Sequence, residues 1–137
     1  MAMIERFEDI EAWQMAREIT REICELTSTG KFSLDYVLRD QIRRAVVSIS
    51  SNIAEGFERD GNKELINFLS IAKGSCGEAR SQLYLAHDQQ YISDERFRKI
   101  SEKLIKISRA IAGFMKYLRQ SEMRGTKFIV AAKNPKS

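Results

Sequence analysis

The fold is decided by one stretch, Ser93-Asp-Glu-Arg-Phe-Arg-Lys-Ile-Ser-Glu-Lys-Leu-Ile-Lys-Ile-Ser-Arg-Ala-Ile-Ala-Gly-Phe-Met-Lys-Tyr-Leu118. Within it Phe97, Ile100, Leu104, Ile107, Ile111, Phe114 and Leu118 recur at spacings of 3, 4, 3, 4, 3 and 4. That rhythm puts all seven on one side of a helix, as an a/d seam that must pack against other helices. Ser93 is placed to cap the helix, and Asp94 and Glu95 suit its positive N-terminal end.

Working outward, three more helices are expected. The first spans about residues 9–27, capped by Asp9, with Ile10, Trp13, Ala16, Ile19, Ile23 and Leu26 on its apolar face and Gly30 beyond its end. The second starts after Ser33 and runs to about Gly56, burying Leu34, Leu38, Ile42, Ala45, Ile49 and Ile53. Beside that face lies a polar row, Gln41, Arg44, Ser48, Asn52 and Glu55, at spacings of 3, 4, 4 and 3 along the edge of the core. Arg59-Asp60-Gly61-Asn62 reads as a turn. The third helix covers about residues 63–89 with Leu65, Phe68, Leu69, Ala72, Cys76, Ala79 and Leu83 inward. Its mid-helix Gly74 and Gly77 each cost roughly 1 kcal/mol relative to alanine, which predicts a close helix approach there or, alternatively, a kink. Short connections make neighbours antiparallel. The expected fold is therefore all-α, an antiparallel up-down-up-down four-helix bundle over residues 1–120, followed by a basic tail over 121–137 in which Phe128, Ile129 and Val130 are available to dock on a neighbour.

Composition agrees. Of 137 residues 43% are apolar and 31% charged, as in a globular protein able to fold without disulfide or metal. The lone proline, Pro135, leaves everything before it free of the strongest helix breaker. Cys24 and Cys76 form no Cys-x-x-Cys pair and read as core residues of a reducing compartment. No signal peptide opens the sequence, and the longest charge-free run, Ala45 to Ala54, is far short of the roughly 20 residues a membrane helix needs. A cytoplasmic protein with no membrane partner is expected.

Catalytic constellations are scarce. With one histidine, His87, paired Glu-x-x-His or His-Glu-x-x-His metal sites are unavailable in one chain, and no phosphate-cradling glycine loop occurs. No metal, cofactor or enzymatic activity is expected. An enzyme would have to gather Glu55, Glu64 and Glu78 around Arg44 in a polar pocket; a structural network linking helices is the plainer reading of Gln41, Arg44, Ser48, Asn52, Glu55, Glu64 and Glu78.

Charge is segregated. Residues 1–95 hold 11 Lys/Arg against 17 Asp/Glu, a net −6, whereas residues 96–137 hold 12 against 2, a net +10. On the fourth helix Arg98, Lys106, Arg109 and Lys116 point roughly opposite the apolar seam, with Lys99 and Lys103 on one shoulder. This pattern points either to a nucleic-acid partner, structured RNA or duplex, held mainly through phosphates, or to a basic helix that balances acidic neighbours within the bundle or across subunits. Few aromatics are interleaved, so base stacking and sequence reading are expected to be weak. The competing reading is a protein-interaction module whose partners meet the polar row and the acidic first helix.

The run Gln41-Ile-Arg-Arg-Ala-Val-Val-Ser-Ile-Ser-Ser-Asn-Ile-Ala-Glu-Gly56, with Phe57, Arg59, Lys63-Glu64, Phe68-Leu69, Ala72-Lys-Gly-Ser75 and Glu78, resembles the four-helix-bundle family that includes the 23S rRNA intervening-sequence proteins. Phe7-Glu-Asp-Ile-Glu-Ala-Trp13 and Ala16 extend the likeness upstream, so that it covers about residues 7–118. The sequence departs from the pattern at Ser50, where members often carry proline, and over Lys31–Leu38, which lacks the usual proline and glycine. The resemblance implies a ring-like homopentamer, for which Ile66, Ile71, Tyr84 and Leu85 supply surplus apolar surface. Relatives include accessory proteins of diversity-generating retroelements, which resemble basic pentameric barrels that bind nucleic acid and a reverse transcriptase; such partners are implied here by resemblance alone.

Overall fold

The computed structural model describes residues 4–123. Four long helices, α1 (Glu11–Leu26), α2 (Tyr36–Glu58), α3 (Asn62–Asp88) and α4 (Asp94–Met123), pack around one core. Each helix packs on its neighbours in sequence, and α1 also meets α4. The core is built from the expected stripes. Ile19, Ile23, Ile42, Ile49, Ile53, Leu65, Leu69, Leu83, Ile100, Leu104 and Ile107 are almost wholly excluded from water. Trp13, Phe68 and Phe97, expected inside, are half-buried.

Helix starts differ from the sequence reading for local reasons. Asp9 does not cap α1. It lies in a 3-10 turn, Phe7–Asp9, and its carboxylate accepts the backbone N–H groups of Glu5 (3.2 Å) and Arg6 (3.1 Å), which leaves Ile10 as the N-cap. Ser33 likewise sits in a 3-10 turn, Lys31–Leu34, where its hydroxyl donates to the Gly30 carbonyl at 2.7 Å. Leu34 goes with it and is 70% exposed rather than in the core. The cap of α2 is Asp35, whose carboxylate accepts from the Leu38 N–H at 3.1 Å and from the Tyr91 hydroxyl at 2.9 Å. One side chain thus satisfies an orphan helix donor and ties α2 to the α3–α4 connection. Asp35→Ala should cost roughly 2 kcal/mol, combining a lost cap with an orphaned hydroxyl. Urea denaturation should show a lower midpoint at unchanged slope; a midpoint equal to the wild type would remove Asp35 from the account.

Ser93 caps α4 as expected, accepting the Arg96 N–H at 3.2 Å. Gly30 takes φ +66°, where its lack of a Cβ matters. The α2 helix runs uninterrupted through Ser50. At Gly74 and Gly77 the expected close approach is absent among the described residues: α3 continues unbroken, and none of them lies within 4 Å of where either Cβ would stand. The tight approach occurs instead at Gly56, where an added Cβ would lie 2.6 Å from the Phe68 Cβ. The α4 helix continues to Met123, past the position where the tail was expected to begin; the remainder of that tail, with Phe128 to Val130, lies outside the described residues.

Candidate nucleic-acid interface

The periodicity that turns the α4 seam inward turns Arg98, Lys106, Arg109 and Lys116 outward, and all four are exposed. From Arg98 to Lys116 the row extends about 27 Å at 1.5 Å per residue. None of the four closes an ion pair among the described residues. The two shoulder lysines differ. Lys99 meets Glu95 at 3.2 Å, and Lys103 reaches Glu22 of α1 at 2.8 Å, with Arg96 also near Glu22 at 4.0 Å. Of the six basic residues read from the sequence, two are held by carboxylates, Arg98 lies near enough to Asp94 to act on its charge, and Lys106, Arg109 and Lys116 close no ion pair among the described residues.

The polar row on α2 is only partly a network. Asn52 donates through Nδ2 to the Ser48 carbonyl (2.8 Å) and hydroxyl (2.9 Å), and Ser75 Oγ on α3 meets Ser48 Oγ at 2.9 Å. Glu55 pairs with Arg59 at 3.0 Å. Gln41, Arg44, Glu64 and Glu78 are exposed, outside that cluster. Two groups escaped the sequence reading. Ser75 was visible only as one small residue among several. Arg43, read as part of a motif, crosses to α1, donating to Thr27 Oγ1 at 2.7 Å and Ser28 Oγ at 3.2 Å; a contact 16 residues distant leaves no periodic trace.

At the other end of α4, His87 Nε2 lies 2.6 Å from Asp94 Oδ1, and the imidazole stacks on Phe97 with centroids 4.5 Å apart. The hydrogen bond and charge of His87, aided by Arg98, hold the Asp94 carboxyl below its ordinary value of 3.8. A carboxylate depressed in the folded state contributes stability that is complete above 3.8 and lost as pH falls through the lower folded value. Asp94→Asn should therefore flatten the fall of melting temperature in that acid window; an unchanged profile would show that the contact contributes nothing.

Cys24 and Cys76 are both free, and burial pushes the Cys76 thiol up to about 12, far from reactive. Among the described residues no group of three or more His, Cys, Asp or Glu is placed to hold a metal ion, and no helix is long and apolar enough to cross a membrane.

No curated protein matches the sequence. A solved structure does: a protein with unknown function from the S23 ribosomal protein family of Bacteroides thetaiotaomicron, 24% identical, covering 77% of this chain and 95% of that one, with a TM-score of 0.71. That likeness concerns the fold alone. The family model described as 23S rRNA-intervening sequence protein matches residues 8–113, from the turn before α1 through most of α4, and the chain belongs to that family.

Proposed function

We propose that this protein is a non-enzymatic, oligomeric scaffold that binds structured RNA or duplex nucleic acid through the outward face of α4. The observation carrying this reading is the row Arg98, Lys106, Arg109 and Lys116: four exposed cations on one rigid helix, free of intrachain ion pairs among the described residues. A structural counterweight would neutralise its neighbours, as Lys103 does with Glu22. Exposed positive charge gathered on one helix face is instead what counterion release rewards.

The oligomer in this proposal is a ring-like homopentamer of antiparallel up-down-up-down bundles. Supporting it, α2 and α3 expose Val37, Val47, Ile71, Tyr84 and Leu85, each between 46% and 71% accessible. The open ground over Gly74 and Gly77 lets a second copy's backbone come close. The same exposed apolar side chains favour the second reading, a protein-interaction platform for a polymerase or an RNA-processing enzyme. The test is fluorescence anisotropy with structured RNA and duplex DNA at low and near-physiological salt, alongside solution mass by light scattering. Binding that weakens steeply with salt yet survives near 0.15 M, on a particle several times 15.8 kDa, is expected. No binding at low salt would transfer the argument to protein partners, and a monomeric mass would remove the ring.

A further inference from the structure

One acidic residue stands inside the basic row of α4. Residues 96–137 contain two carboxylates, Glu102 and Glu122, and Glu102 is exposed on the same outward face as the row. It follows Arg98 by four residues and precedes Lys106 by four. On a helix that places it about 40° around and about 6 Å along the axis from each. Both neighbours are thus at the spacing of an intrahelical ion pair. At that spacing Glu95 holds Lys99 at 3.2 Å and Glu55 holds Arg59 at 3.0 Å. Glu102 closes no ion pair among the described residues.

A carboxylate within a phosphate-binding row repels each phosphate it meets, so it lowers affinity unless the ligand brings it a hydrogen-bond donor. Nucleic acids carry such donors in two places, the amino groups of the bases and, in RNA, the ribose 2′-hydroxyls. Packing favours the second. The α4 helix meets α1 on one side and α3 on the other, which leaves its outer strip to approach a ligand. The major groove of B-form DNA holds its base edges about 8.5 Å deep, and its minor groove is only about 6 Å wide. A-form RNA instead displays 2′-hydroxyls in a wide, shallow minor groove bordered by phosphates.

We propose that α4 lies across the minor groove of double-helical RNA, with Arg98 and Lys106 on phosphates and Glu102 between them accepting hydrogen bonds from 2′-hydroxyls. The longer cations reach the backbone, and the shorter carboxylate stops at the ribose. This inference rests on the α4 interface proposed above and deepens it, because Glu102 then selects RNA over DNA.

The test is fluorescence anisotropy of the full chain and its Glu102→Ala variant with three duplexes of one sequence: RNA, DNA, and 2′-O-methyl RNA, which keeps the A-form and lacks the donor. Alanine at an exposed helix position leaves folding intact. The wild type should bind RNA roughly tenfold more tightly than 2′-O-methyl RNA or DNA, as the loss of a hydrogen bond to a charged group requires. In Glu102→Ala the gap between RNA and 2′-O-methyl RNA should close to about twofold, and DNA should bind more tightly than it does to the wild type. An RNA preference that survives Glu102→Ala, or an equal gain by all three duplexes, would overturn the inference and leave the α4 interface standing. Failure of the wild type to bind any duplex would remove the interface itself, and this inference with it.

Discussion

If the proposed interface is right, replacing Arg98, Lys106, Arg109 and Lys116 together by glutamine is expected to lower affinity for structured RNA by roughly 100-fold or more near physiological salt and to reduce the salt slope by about 3. The slope follows from counting phosphate neutralisations, each releasing most of one counterion. Glutamine is chosen because its helix propensity is close to that of arginine and lysine. All four side chains are exposed, so stability should move little. The informative control is Lys99→Gln with Lys103→Gln. These cations already sit on Glu95 and Glu22, and their loss should cost far less affinity than the outward four. Equal losses from both sets would mean that net charge alone drives binding. An undiminished affinity in the quadruple variant would reject α4 as the site.

Gly56→Ala is the substitution with the largest expected structural effect. The added methyl would lie 2.6 Å from the Phe68 Cβ and 3.1 Å from Leu65 Cδ1. A Cβ cannot swing aside as a side-chain tip can, so α2 and α3 must separate along their shared seam. Overpacking of this kind costs roughly 1–3 kcal/mol or more, against a helix-propensity gain of about 1 kcal/mol. With a Cβ–Cβ approach of 2.6 Å the upper end of that cost applies, so the net expectation is a loss of about 2 kcal/mol and a melting temperature lower by roughly 5–10 °C. Gly77→Ala makes the same chemical change where nothing lies within 4 Å and should leave the intrachain packing intact. Thermal unfolding of the two variants decides the matter; equal or raised stability in Gly56→Ala would show that the helices do not meet there.

The contrast between these glycines shows where sequence reading succeeds. Periodicity located the seam of α4 and the stripes of α1 to α3, because a core face must repeat with the helix. It could not tell which glycine is pressed by a neighbour, because that depends on the rotation of two helices about their axes. Caps were half legible for a similar reason. Ser93 behaves as its position suggests, whereas Asp9 and Ser33 are captured by 3-10 turns and Asp35 is chosen partly by Tyr91, 56 residues away. For the candidate interface, exposure of the six basic residues was legible from the helix phase. The pairing of Lys99 with Glu95, four residues back on the same helix, follows from that phase too, but that of Lys103 does not, because Glu22 belongs to another helix.

The Tyr91–Asp35 hydrogen bond bears on the order in which the chain assembles. It joins two connections at opposite sides of the sequence, and a closure of that length carries more entropy loss than the local turns of each helical pair. The expected order is that neighbouring helices pack first and this link closes late. An interaction made after the barrier slows unfolding and leaves the folding rate nearly unchanged. Tyr91→Phe is therefore expected to shorten the lifetime of the native state at a nearly unchanged folding rate, as stopped-flow unfolding would measure.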